Sequence, residues 1–455
     1  MKFKILVFLL ASIPGMFACN KKLDVAPQNT LTPSEIVSAD DVKAVLFGGY
    51  STFQNGNAFG EKYNTFSELL INDNDINWAG TFSDYDDINS KTETTESAVI
   101  YQVWANSYHT INVANLVLSK LDVLTGSEKT QVEGEAKFLR GLTYFTLVNL
   151  YAKPYSAGSI TTNPGVPLVL QPVSGYDPAR DKLPRASVAA VYTQVLADLI
   201  DAAAKLPAEA ANFRATKYSA SAFLSRVYLA QGNYAAAATT ANEVIASGNY
   251  SLTSSIDKAF NNSANSPEDI FALQQTTQSN SGTVDFGITS FYSGDPVGRG
   301  EIQITPVHLT KYEAGDARKD FFYSGSSISG SPGMLTGKWK DLYKAIPIIR
   351  LAEMYLTRAE ANYRKGGTPT GAAVIDDINT IRERAGLLPL GAIANADIIV
   401  KERFAELTFE GERFYTVKRL QLTVGGRPYN HPRLIFPIPQ REIDLGNALP
   451  QNEGY

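Results

Sequence analysis

Ser219–Ser247 reads SASAFLSRVYLAQGNYAAAATTANEVIAS, and this stretch decides the fold class. Ala222, Leu224, Val227 and Tyr228 lead to Ala230, then Gly232-Asn233-Tyr234, then Ala237, Ala241 and Val244. The pattern is a helix–turn–helix of tetratricopeptide type. Small residues stand where two helices approach, glycine stands at the turn, and an aromatic opens the second helix. The spacing predicts helices over Ser219–Ala230 and Tyr234–Ser247. Outward from this pair the 3.6-residue period returns repeatedly. It predicts helices at Asp40–Phe53, with Ser38 or Asp40 near the cap, at Ala98–Leu121 and Lys129–Leu150, and from Ser187 to about Leu206. Further on come Ile349–Arg364, Gly371–Glu383 and Asp397–Leu420. Between them, Ser251–Lys344 is rich in Ser, Gly, Asn and aromatics and carries no long helical stripe, so short strands and loops are expected there. The tail is extended, with Pro432, Pro437 and Pro439 as breakers. No regular 34-residue period runs along the chain. The expected fold is therefore mostly α: tetratricopeptide-like helix pairs forming a scaffold, with a loop-rich variable region containing short strands.

The first eighteen residues, MKFKILVFLLASIPGMFA, have a basic start at Lys2 and Lys4 and an apolar run from Ile5 to Ile13. That run is far below the ~20 residues of a membrane-spanning helix and reads as a secretory signal. Met16-Phe17-Ala18-Cys19 resembles a bacterial lipobox. Cys19 is the only cysteine among 455 residues, so it has no partner for a disulfide within the chain, and acylation (a palmitate-type lipid) accounts for it. With more than one acyl chain, each buried methylene contributing about 0.8 kcal/mol, the lipid is a stable membrane anchor. The net charge is −5, which argues against nucleic-acid binding. Only three histidines accompany 23 tyrosines and 22 phenylalanines. A histidine-based metal site or general base is thus poorly supplied, whereas flat or apolar ligands are well supplied with rings.

Several further phrases, in order, resemble the SusD/RagB family. Leu23-Asp24-Val25-Ala26-Pro27-Gln28 is similar to its mature N-terminus. Arg140-Gly141-Leu142-Thr143-Tyr144-Phe145 with Val148-Asn149-Leu150-Tyr151 resembles its "LVNLYG" helix end, with Ala152 in place of glycine. Ile346-Pro347-Ile348-Ile349-Arg350 with Arg358-Ala359-Glu360-Ala361 resembles "PIIRYAEVLL…AEA". Ile381-Arg382-Glu383-Arg384-Ala385-Gly386-Leu387 matches "IRxRAGL", and Glu406-Leu407 with Phe409-Glu410-Gly411-Glu412-Arg413 matches "ELxFEGxR". Pro437-Ile438-Pro439-Gln440 closes the pattern with Asn452 and Tyr455 in the tail. The resemblance implies a surface lipoprotein of the outer membrane without catalysis or cofactor. Such a protein binds a nutrient, commonly a glycan, and hands it to a SusC-like TonB-dependent transporter. It implies the organisation as well: a signal peptide over 1–18, then a single domain over 19–455. Within the domain, 19–250 is the N-terminal helical part with the tetratricopeptide-like pairs, 251–344 the variable part, and 345–455 the C-terminal helices and tail. The variable part carries no family phrase, so the ligand does not follow from the resemblance.

The best candidate for ligand contact is the loop around Asp73-Asn74-Asp75-Ile76-Asn77-Trp78, continuing to Phe82, Asp84 and Tyr85. Sugar rings pack apolar faces on aromatics and pair hydroxyls with carboxylates and amides. Trp78, Tyr85, Asp73 and Asp75 are the expected contacts, joined by Phe291 and Tyr292 of the variable stretch; Phe321-Phe322-Tyr323 and Trp339 are weaker candidates. The acidic spacing is loosely that of a calcium loop, but Trp78 stands where an EF-hand requires glycine, and no metal is expected. Trp104 lies on a helical stripe and reads as core. Glu406 and Glu410 lie four apart on one helix face and could be imagined as a catalytic pair; the surrounding arginines favour structural ion pairs instead. The rival functions are an anchored glycosidase, which needs two carboxylates across a cleft, and a plain tetratricopeptide scaffold for protein helices.

Overall fold

The fold is seen in a computed structural model that describes residues 33–173, 175, 177, 182–282, 286–446 and 449–455. The signal segment, Cys19 and the phrase Leu23–Gln28 lie outside the described residues. Of residues 1–36 only 33–36 are described, and Val37–Tyr455 is one unit.

Among the described residues, eight helices build the first part of the scaffold: α1 Ala39–Gln54, α2 Lys62–Leu70, α3 Ser83–Ser90, α4 Ala98–Leu118, α5 Gly126–Tyr151, α6 Val188–Lys205, α7 Lys217–Ala230 and α8 Tyr234–Ala246. Caps fix their starts. Ser38 accepts from Asp41 N in a capping box, Ser187 accepts from Ala190 N, and Thr216 with Ser219 forms a second capping box. The α7–α8 pair turns at Gly232, whose φ of 72° suits glycine. Ala237 and Ala238 of α8 are fully buried against Leu229 and Ala361, so small side chains let the backbones approach as expected. α5 is the long central helix, packed along α4 and α6, and nearly its whole C-terminal half is buried.

The C-terminal part holds α9 Leu351–Lys365, α10 Val374–Arg384, α11 Ala396–Leu407 and α12 Glu412–Arg419. α9 packs on α8, α10 and α11, around Leu356, Ile378, Ile381 and Ile399. The short strands are β1 Ile76–Trp78, between α2 and α3, and, between the helical parts, β2 Asp269–Leu273, β3 Ile302–Ile304, β4 Phe322–Ser326, β5 Pro332–Thr336 and β6 Ile346–Arg350. β1, β3, β5 and β4 form one sheet in that order, and β2 pairs antiparallel with β6. Among the described residues no helix is long and apolar enough to cross a membrane.

Three expectations need correction. Ile349 and Arg350 belong to strand β6, not to a helix from Ile349. Pro347 and the isoleucines around it favour extended backbone, and β2 supplies the pairing partner. The single helix expected over Asp397–Leu420 is two helices, broken where Phe409 and Gly411 take φ of 62° and 74°. Carbonyls freed by the break are satisfied by side chains: Lys338 Nζ donates to Glu406 O at 2.7 Å and Thr408 O at 2.9 Å, and Trp339 Nε1 donates to Phe409 O at 2.9 Å. Helices α2 and α3 escaped the periodic reading, being only 9 and 8 residues long.

Candidate functional site

Strand β1 runs through the middle of the candidate loop and sends its residues to two places. At its C-terminal end Trp78 enters an aromatic ladder. The Trp78 ring stacks on Tyr85 at 5.1 Å and 15°, and Tyr85 stacks on Phe291 at 4.8 Å and 19°. Phe82 joins at 5.8 Å from Tyr85 and stacks on Phe286 at 6.3 Å and 13°. The ladder is graded in exposure. Tyr85 and Phe291 are buried, Trp78 is 8% exposed, Phe82 is half-buried, and Phe286 is 51% exposed. The Arg299 guanidinium sits 4.3 Å over the Phe82 ring and donates to Thr81 Oγ1 at 3.2 Å and to Glu301 Oε1 at 2.6 Å.

The inner end is anchored by polar groups. Tyr85 OH donates to Glu61 Oε1, and burial raises the Glu61 pKa against the opposing charge of Lys62. Gly80 lies flat on the Trp78 edge: a Cβ there would fall 2.3 Å from the indole and 2.7 Å from the Glu301 carboxyl carbon. Among the described residues, the indole Nε1–H of Trp78 and Glu301 Oε2 are buried without a protein hydrogen-bond partner. Such groups carry a desolvation penalty of about 1–3 kcal/mol each.

At the other end of β1, Asp73 and Asp75 face away from the ladder. Asp75 is fully buried; its Oδ2 accepts from Arg413 Nη1, with Lys311 Nζ at 3.3 Å and His308 Nδ1 at 3.4 Å. Burial alone would raise the Asp75 pKa, but the His308 hydrogen bond and the charges of Arg413 and Lys311 hold it far below the usual carboxylate range. Asp73 accepts from Gly425 N at 2.7 Å and lines a cavity of about 780 Å3 beside α11 and α12. Asp84 accepts from Ser97 Oγ at 2.6 Å, so these acids do not converge on one point. Tyr292 leaves the ladder as well; its ring lies 5.8 Å from Phe409 and its hydroxyl 3.4 Å from Asn64 Oδ1.

Of the residues singled out in the sequence, Trp78, Tyr85 and Phe291 thus come together, while Tyr292, Asp73 and Asp75 do not join them. Phe286 and Arg299 were not legible beforehand. Phe286 lies about two hundred residues from Trp78 in sequence, and no local pattern links them. Trp104 and Trp339 are core residues, 3% and 2% exposed. Glu406 and Glu410 are structural. Arg350, fully buried, meets Glu410 Oε1 at 2.7 Å, Glu268 Oε2 at 2.7 Å and Glu406 Oε1 at 3.2 Å. Burial would raise the Glu406 pKa, but Arg384, Arg350 and Arg318 outweigh it and bring the pKa down to about 2, the reverse of what a general acid needs.

The chain is thus a helical scaffold of tetratricopeptide-like pairs that carries an aromatic ladder on inserted loops. The chain belongs to the SusD/RagB family. A family model described as starch-binding and associating with the outer membrane matches residues 21–229, and the SusD family model matches residues 336–432. SusD-like protein P2 of Formosa agariphila is 27% identical across the full length of both chains. The starch-binding protein SusD of Bacteroides thetaiotaomicron is 36% identical over 127 residues, covering 24% of this chain and 21% of that one. A crystal structure of a SusD superfamily protein from Bacteroides thetaiotaomicron superposes with a TM-score of 0.82 at 25% identity, covering 91% of this chain and all of that one.

Proposed function

We propose that this chain is an outer-membrane lipoprotein, anchored through Cys19, that captures an oligosaccharide and delivers it to a SusC-like TonB-dependent transporter. One observation carries the reading: the aromatic ladder does not end in the core but climbs through Phe82 to the half-exposed ring of Phe286. A flat ring pair at the surface offers the apolar platform a sugar face needs. The exposed Thr81 hydroxyl stands at its margin, held by the Arg299 guanidinium that also covers the Phe82 ring. Trp78, Tyr85 and Phe291 act as the rigid backing of that platform. The organisation into a signal over 1–18 and one domain over 19–455 fits this role.

The test is a panel of neutral and charged oligosaccharides titrated against the full chain and against a Phe82→Ala/Phe286→Ala variant. Saturable binding of at least one glycan is expected, with affinity lower by about tenfold or more in the variant. Unchanged affinity in a variant that melts like the wild type would remove the ladder from the binding surface.

A further inference from the structure

We infer that the cavity between residues 310–318 and helices α11 and α12 is a second ligand site, one that takes the anionic group of an acidic saccharide unit. Its volume of about 780 Å3 lies within the range of small-ligand pockets. At one wall stand Lys311 and Arg413. Both contact a single carboxylate oxygen, Asp75 Oδ2, which also receives His308. The Asp75 side chain is 1% exposed, whereas those of Lys311 and Arg413 are 29% and 14% exposed. The anion therefore lies behind the wall and the two cations lie in front of it. His308 adds no charge, since burial lowers its pKa.

Donor capacity at this wall exceeds what the protein uses. An ammonium has three N–H groups and a guanidinium five. Among the described residues the carboxylate of Asp75 is the acceptor both share. The acids on the lining already have partners: Glu412 meets Arg403 at 2.7 Å, and Asp73 accepts from Gly425 N at 2.7 Å. Arg382 takes Glu313 through two bonds of 2.7 and 3.0 Å, and Arg318 takes Asp316 at 2.7 Å and Glu402 at 2.6 Å. The unfilled valence in the cavity is thus for an acceptor, and a carboxylate or sulfate oxygen fills it with charge-assisted hydrogen bonds. Phe404 lies under both cations, 4.5 Å from Lys311 Nζ and 5.1 Å from the Arg413 guanidinium. With Leu407, Val417 and Leu422 on the lining, it offers the apolar surface that a sugar ring needs beside its charge.

The proposal is independent of the ladder, and its test keeps the two apart. The full chain is titrated with methyl glucuronide, methyl glucoside and sodium sulfate, following ligand signals by saturation-transfer NMR. Glucuronide is expected to bind and glucoside to bind at least about tenfold more weakly. Lys311→Gln leaves Arg413 on Asp75 and is expected to lower glucuronide affinity about tenfold. Arg413→Lys, which keeps a cation there but loses the fork, is expected to weaken it also. Phe286→Ala weakens any ladder ligand, and the loss of glucuronide affinity caused by Lys311→Gln is expected to be the same in that background. Equal binding of glucoside, indifference to both cation variants, or sulfate alone binding as tightly as glucuronide overturns the proposal.

Discussion

Replacing Trp78 with alanine reads out whether the inner ladder is a support or a surface. The indole is 8% exposed and stacked on Tyr85, with Phe291 at 6.1 Å and 29° beyond. Truncating a buried tryptophan costs about 3–5 kcal/mol, and each aromatic pair lost is worth about 0.5–1.5 kcal/mol beyond area. One effect opposes this. The Nε1–H has no partner, and removing an unsatisfied buried donor returns about 1–3 kcal/mol. The expected net loss is therefore about 3 kcal/mol. Trp78→Phe is the informative control. It keeps a stacking ring and removes the orphaned donor, so a change within about 1 kcal/mol is expected. The assay is guanidinium denaturation followed by far-ultraviolet circular dichroism, with m-values compared to check that the unfolding unit is unchanged. A loss below about 1 kcal/mol for Trp78→Ala, well under the cost of emptying a core site, together with a steep loss of glycan affinity, refutes the reasoning. Trp78 would then be a free binding face, and the grading of the ladder would be irrelevant.

Arg350→Met leaves Glu268, Glu406 and Glu410 without their shared buried counter-charge; a stability loss of about 3–5 kcal/mol is expected, checked by denaturation midpoint, with partial recovery in Arg350→Met/Glu410→Gln. Burial raises the Glu68 pKa from 4.5 to about 7 against the opposing charge of Arg413, so the folded state holds a proton the unfolded chain has lost. Its stabilising contribution is full below 4.5 and fades as pH rises through about 7. Glu68→Gln keeps an acceptor for Gly411 N and is expected to gain stability relative to wild type between about pH 5 and about pH 8, by up to roughly 3 kcal/mol, measured as denaturation midpoints at the two pH values. Cys19→Ser is expected to release the chain from the membrane fraction, with the lipid mass missing in mass spectrometry. Purification of the wild type in mild detergent is expected to bring down a β-barrel transporter in near-equal amount.

The helices were legible because their information is local. Ser187 and Ser38 cap where a capping side chain was expected, and Ala237 and Ala241 of α8 are buried where the period put them. Two of the errors share one cause, a contact distant in sequence; the third, the missed α2 and α3, comes from their short length. β6 is a strand because β2, some eighty residues earlier, supplies its partner. The break after Leu407 persists because Lys338 and Trp339 reach in to satisfy its carbonyls. The candidate loop shows the same limit at the level of function. Its mixture of acids and aromatics was visible, but not that a three-residue strand divides it, sending Trp78 into the aromatic ladder and Asp75 against Lys311 and Arg413. Nor does composition rank the rings. Tyr85, Phe82 and Phe286 are alike as letters, yet Tyr85 is 2% exposed and Phe286 51%. A ligand arriving from solvent meets the second and never the first. What marks the proposed binding face is the direction in which burial falls along a stack, and that direction exists only once residues two hundred positions apart have been brought into contact.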